Sequence, residues 1–316
     1  MESKFSLDVI KHRRLYLSIS VGVILAGIAS MLLSWRLIGL PVRPALDFVG
    51  GTRLSYELVC TPIPSQKCGK PIDISPVRQA ITAKGFNDLV IQLSGQDGRG
   101  LLVQTAKLGV EERSRIQQSL AEAVSQYGTI DPTKTQIDEV GPVIGSQLLT
   151  SGLLALLISF AGIAVYLAFR FQSDYAIFAI IALIHDVLVT VGVFALLGIT
   201  LGVEVDSLFV VAMLTICGFS VNDTVIIYDR IRENLNVVGD RYSFDDLVNL
   251  SVNQSLARSI NTTLTTTLPL ITIFIFGGAT LKYFALALII GFVSGAYSSI
   301  FNATILLAWW RNRQNA

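Results

Sequence analysis

The hydrophobic positions of this chain fall into long unbroken runs, interrupted by one extended polar segment. Residues 15–34 form the first run, placed between Lys11, His12, Arg13, Arg14 and Trp35. At 20 residues it exceeds the roughly 7–15 of a signal-peptide core, so it reads as an uncleaved membrane helix over 15–35, with Trp35 at the far interface. Further runs at 148–169, 175–197, 207–228, 258–276 and 281–310 approach or exceed the roughly 20 residues that cross a bilayer. The pattern predicts an α-helical polytopic membrane protein with six transmembrane helices. Its tails are 1–14 and 311–316, and 148–310 forms a five-helix domain with a connection at 229–257. Ser243 and Asp246 in that connection resemble a capping box opening a short surface helix.

Residues 36–147 break the membrane pattern, holding 12 Lys/Arg and 11 Asp/Glu. Here the periodicity predicts strands at 53–59, 89–94, 100–105 and 135–140 and helices at 75–84 and 110–127. In the longer helix Ile116, Leu120, Val124 and Tyr127 share one face. The order βαββαβ is that of an α+β ferredoxin-like domain between helices 1 and 2.

Composition agrees with the pattern. Hydrophobic residues are 52% and charged residues 15%, against about 25% charged in a soluble domain. A net charge of +1 gives no support for a nucleic-acid partner. The surrounding lipid is the expected partner. With the N-terminus inside, 10 of the 12 Lys/Arg lying beyond 36–147 are cytoplasmic, Arg258 sits at the inner edge and Lys282 alone is outside. The positive-inside rule therefore places both termini in the cytoplasm and 36–147 outside.

Candidate chemistry centres on Asp223, inside the apolar run that begins at Ser207. A carboxylate at membrane depth costs roughly 2.5 kcal/mol or more and usually faces a bundle interior or a wet pathway. It reads either as a neutral carboxyl bonded to a neighbouring helix or as a proton site. By the rise of about 1.5 Å per residue Asp223 lies roughly 7–8 Å from the inner boundary, and Arg258 starts the next helix at that boundary, so the two can meet if the helices are neighbours. Burial and the arginine's charge act on the carboxyl in opposite senses, so moving the helices would move a proton. Arg258, Thr262 and Thr266 recur every four residues, with Pro269 three further on, giving a polar stripe. Threonines in membrane helices also bond their own backbone. His185 and Asp186, near mid-membrane, extend a relay or form a packing pair, and Asn222 adjoins the carboxylate. Gly291, Gly295 and Ser299, four apart, read as close helix packing.

An intramembrane aspartyl protease using Asp186 with Asp223 lacks the Gly-x-Gly-Asp signature, and Ser220 lies nearer the inner face than His185, which makes a serine pair awkward. No metal site or cofactor is expected in a chain with two histidines, one in the N-terminal tail. Cys60 and Cys68, separated by a loop with Pro62 and Pro64, face an oxidising compartment and are expected to form a disulfide.

Several motifs resemble the SecD/SecF family of the bacterial Sec export machinery. Asp47-Phe48-Val49-Gly50-Gly51-Thr52 is similar to the turn that opens its external domain; Gly50 and Gly51 suit positive φ and a structural base rather than a ligand loop. Residues 140–145, His185-Asp186-Val187, Ser220 to Thr224 followed by Asp229 to Asn234, and Arg258 to Thr263 with Gly277-Gly278 are similar to later motifs of that family. The resemblance covers essentially the whole chain; the loop from Cys60 to Cys68 departs from it. It implies a non-enzymatic subunit of the bacterial inner membrane, with helices arranged as in resistance–nodulation–division pumps. It further implies partnership with SecD beside the SecYEG channel, a translocating preprotein, and use of the proton-motive force through Asp223 and Arg258. A passive scaffold and a half-size small-molecule transporter are the alternatives.

Overall fold

The first apolar run forms α1 (Arg13–Ile38), which closes on Gly39 in the left-handed region with its N–H bonded to Trp35 O. The computed structural model describes residues 7–59, 72–86, 89–94, 100–105, 108–125 and 127–314. Two compact units divide the chain: Pro44–Ser151, and Met1–Arg43 taken with Gly152–Ala316.

The smaller unit runs α2 (Leu46–Val49), β1 (Gly51–Val59), α3 (Ile74–Thr82), β2 (Leu89–Ser94), β3 (Gly100–Thr105), α4 (Val110–Val124), β4 (Thr129–Ile130) and β5 (Gln136–Val140). Its sheet is antiparallel. β1 lies between β3 and β5, with Leu54 opposite Val103 on one side and Ile137 on the other. β2 extends the sheet beyond β3, and the short β4, absent from the sequence reading, pairs with the far end of β1. Alternate strand residues Leu54, Tyr56, Ile91, Leu101 and Val103 turn to one face. Val77 and Ile81 of α3 and Ile116, Leu120 and Val124 of α4 cover it. The α4 stripe read from spacing is thus the buried one.

Gly50 (φ 72°) and Gly51 (φ 128°) both take positive φ, which an L side chain resists. Gly145 packs on this turn: a Cβ there would lie 2.8 Å from Phe48 O and 3.0 Å from Gly50 N. The two glycine motifs therefore specify one backbone-to-backbone contact. Cys60 and Cys68, and with them the expected disulfide, lie outside the described residues.

The larger unit comprises α1 and the remaining helices: α5 (Pro142–Arg170, whose first turns belong to the smaller unit), α6 (Ser173–Thr200), α7 (Ser207–Val238), α8 (Phe244–Phe276), α9 (Ala279–Tyr297) and α10 (Thr304–Gln314). A π-helical segment, Ser298–Ala303, joins the last two into one span. Six helices among the described residues are long and apolar enough to cross a membrane. The structure corrects the 229–257 connection. Instead of a surface segment with a short helix, α7 continues to Val238, and α8 starts at Phe244 and runs unbroken into the fifth span. Ser243 does cap it, accepting from Asp246 N at 3.2 Å and donating to the Asp246 carboxylate at 2.6 Å. An amphipathic stretch and an apolar one share the same 3.6-residue period, so the pattern alone could not show that they join.

α6, α7 and the last span form the interior, while α1, α5 and α8 leave much apolar surface exposed, including Leu157, Ile260 and Leu264. Small residues set the approaches: Gly27 of α1 meets Gly192 of α6 backbone to backbone, and Gly291 of α9 receives Ile216 of α7. Asn253 brackets Leu7, accepting from its N–H and donating to its carbonyl, both at 2.8 Å. Asn249 accepts from Val9 N at 3.0 Å and donates to Asp8 at 2.9 Å. Together they strap the N-terminal segment onto α8.

Candidate functional site in the helix core

Among the described residues of the larger unit two carboxylates are buried, and their surroundings differ. Asp186 of α6 has no solvent exposure. Its Oδ2 accepts from Ser220 Oγ of α7 at 2.6 Å and from Ser298 Oγ of the π segment at 2.7 Å. Its Oδ1 accepts from Ser294 Oγ of α9 at 2.7 Å and lies 3.0 Å from His185 Nδ1. A carboxylate offers about four acceptor positions, so Asp186 is saturated. Around it Thr190 Oγ1 donates to the Asp186 carbonyl, and Thr224 and Ser299 share a hydroxyl bond of 2.7 Å.

The π segment carries Ser298, Ser299 and Asn302, all buried. A π turn rotates the following residues relative to an α-helix and is frequent at functional sites. Here Ser298 reaches Asp186, Ser299 reaches Thr224, and Asn302 accepts from Ser20 of α1 at 2.7 Å.

Asp223 of α7 is 4% exposed and, among the described residues, has one hydrogen-bond partner, Ser259 Oγ of α8. Its other acceptor positions are unfilled by protein. A buried carboxylate with so few donors is costly, unlike the saturated one beside it.

The sequence-derived site is only partly assembled. His185 and Asp186 are joined, and Asp223 lies in the interior. Arg258 does not meet Asp223: it is exposed, and among the described residues forms no ion pair or hydrogen bond. Adjacent helical residues point about 100° apart, so with Ser259 turned inward Arg258 points elsewhere. Asn222 is also exposed. Thr266 Oγ1 donates to the carbonyls of Thr262 and Thr263, at 2.8 and 3.0 Å, so its proton is held by its own helix. Ser259, Ser294 and Ser298 were missed. Ser294 and Ser298 lie four apart, each one residue before Gly295 and Ser299 of the small-residue stripe, and that doubling was the available signal. No His, Cys, Asp and Glu grouping among the described residues suits a metal ion.

The fold and this site define a polytopic helical membrane protein with two buried carboxylates, one saturated by hydroxyls and one under-coordinated. Residues 119–313 match the family described as protein export membrane protein SecD/SecF, C-terminal. The chain is 50% identical to the protein translocase subunit SecF of Synechocystis sp. over 305 residues, covering 96% of this chain and 94% of that one. It is 38% identical to the SecF of Thermobaculum terrenum, covering 97% and 95%. The crystal structure of SecDF from Thermus thermophilus, a translocon-associated membrane protein, superposes with a TM-score of 0.81 at 28% identity over 99% of this chain and 40% of that one. The chain thus spans about two fifths of that longer protein. It belongs to the SecD/SecF family, on its SecF side.

Proposed function

We propose that this chain acts in protein translocation as a SecF-type subunit. It pairs with a SecD-type partner beside a SecYEG channel and couples the proton-motive force to movement of a translocating preprotein. The observation that carries the reading is Asp223, buried with a single donor among the described residues, Ser259, so that a proton is the simplest means of completing its coordination. Asp186, with all acceptor positions filled, anchors α6, α7 and the last span around it. Arg258 acts from the exposed side of α8, where a partner subunit would complete the site. The wider relay through His185, Asp186, Asn222, Thr262 and Thr266 has weaker support, since Asp186 is saturated and Thr266 is bonded to its own helix.

The reading extends to the smaller unit. Its β5–β1–β3–β2 sheet with α3 and α4 on one face is the arrangement expected of a ferredoxin-like domain, and the positive-inside distribution supports an extracytoplasmic position with both termini in the cytoplasm of a bacterial inner membrane. The test uses inverted membrane vesicles containing this chain with its partner. Asp223→Asn should abolish the part of translocation that depends on the proton-motive force while leaving assembly intact. Normal stimulation in Asp223→Asn vesicles would leave a passive scaffold as the reading, and proton-driven efflux of small molecules would favour a half-size transporter.

A further inference from the structure

Between α1, α6 and α9 lies a cavity of about 400 Å³, inside the range of roughly 300–1,000 Å³ typical of small-molecule sites. Its walls are mostly aliphatic, with Ile19 and Val23 from α1, Val189 from α6 and Ile290 and Val293 from α9. Four polar side chains also line it: Ser20, His185, Ser294 and Tyr297.

The protons of those groups are already committed. Ser20 donates to Asn302 Oδ1 at 2.7 Å, Ser294 to Asp186 Oδ1 at 2.7 Å, and Tyr297 Oη to the Tyr16 carbonyl at 2.7 Å. Three serines already donate to the Asp186 carboxylate, so His185 completes the set by donating from Nδ1. In the neutral ring this tautomer leaves Nε2 as a bare lone pair. His185 is 7% exposed, its ring stacks on Tyr297 at 6.4 Å, and Nε2 has no protein partner among the described residues. The cavity therefore presents acceptors and no donor.

From this polarity we propose that the cavity binds a membrane-soluble neutral amphiphile headed by an alcohol. Its hydroxyl donates to His185 Nε2, and its apolar body lies along α1 and α9. Ester-headed lipids offer carbonyl acceptors against acceptors and are disfavoured at the polar end. Diacylglycerols, prenols and quinols all carry the required hydroxyl. The proposal goes beyond the proton-coupling reading and does not rest on it.

The test places the full chain in phosphatidylcholine nanodiscs with a hexadecanol bearing a mid-chain diazirine, and maps the photolabel by mass spectrometry. Labelling should concentrate in peptides carrying residues 19–23, 185–189 and 289–297. Unlabelled hexadecanol should displace it at about a ten-fold lower concentration than hexadecyl methyl ether, which lacks the donor. Competition by a diacylglycerol, a prenol and a quinol then separates the three sources. Val23→Trp, at a position 41% exposed, should fill the groove and remove the label without disturbing the interior. His185→Phe should keep the label and erase the difference between alcohol and ether. Equal displacement by alcohol and ether in the unmodified protein, or label spread evenly along α5, would overturn the proposal.

Discussion

Gly295 of α9 lies against Ser220 of α7: a Cβ on the glycine would come within 3.2 Å of Ser220 Cβ and 3.6 Å of an Asp186 carboxylate oxygen. The glycine is what lets Ser220 and Ser298 reach the same carboxylate from two helices. Gly295→Ala should lower stability by about 1–3 kcal/mol through overpacking, and Gly295→Leu should prevent folding. Asp186→Asn should cost a comparable amount, because its amide would present donors to hydroxyls that already donate. Thermal unfolding of the detergent-solubilised protein checks both. Unchanged midpoints would mean that the carboxylate does not anchor these helices.

The strap of the N-terminal segment gives an independent prediction. Asn249→Ala with Asn253→Ala removes the acceptors of Leu7, Val9 and Ile10 N–H and the donors to Asp8 and the Leu7 carbonyl. At about 1 kcal/mol net per bond, the segment should open locally while the helices stay folded. Hydrogen exchange should rise in residues 7–12 and stay unchanged in α6. Protection retained at Val9 and Ile10 would show that their apolar burial alone holds the segment.

Much of this was legible in the chain. The period-2 and period-3.6 patterns placed β2 and β3 to the residue, and the spacing of Ile116, Leu120 and Val124 identified the buried face of α4. Gly50 and Gly51 announced a positive-φ, closely approached turn, although spacing could not show that Gly145 is what packs on it. The site was legible in its carboxylates and not in their partners. Asp223 and Asp186 stand out because charge is rare in apolar runs, whereas Ser220, Ser294 and Ser298 are common residues in membrane helices and become ligands only through helix rotation. The π segment fixes that rotation for Ser298, and nothing in its composition marks it. Arg258 looked like the partner of Asp223 from its place near the inner boundary and from the family resemblance; one residue of phase gives the contact to Ser259 instead.

Tyr56 should make the smaller unit sensitive to alkali. Its side chain is 2% exposed, its hydroxyl has no hydrogen-bond partner among the described residues, and burial pushes its pKa up to about 12. An unfolded tyrosine ionises near pH 10, so between roughly 10 and 12 the unfolded state binds fewer protons than the folded one and stability falls as pH rises. The loss should approach ~2–3 kcal/mol above pH 12. In Tyr56→Phe the pH-dependent loss should shrink by that amount, and stability at neutral pH should hold or improve, since an unpaired buried hydroxyl is removed. Pulse proteolysis of the full chain at pH 8 and pH 11 reads both effects. Identical alkaline sensitivity in the two proteins would assign it to another group.

The contact between Ser259 and Asp223 separates two accounts of how the carboxylate is controlled. If Arg258 alone governed it, Ser259 would be a spectator. The structure instead gives the only protein hydrogen bond on Asp223, among the described residues, to Ser259, which is 2% exposed, and leaves Arg258 on the exposed side of α8. A bond to an ionised group contributes roughly 1.5–3 kcal/mol, and 1.36 kcal/mol corresponds to ten-fold in rate. Ser259→Ala should therefore lower proton-driven translocation in vesicles by about ten-fold or more, with unchanged expression and partner assembly. Ser259→Thr should recover most of it, because the hydroxyl survives. Arg258→Lys should retain part of the activity and Arg258→Ala little if, as proposed, that charge acts from the exposed side of α8. Wild-type rates in Ser259→Ala, with Arg258→Ala inactive, would return control of Asp223 to the arginine and require α8 to rotate in the assembled complex.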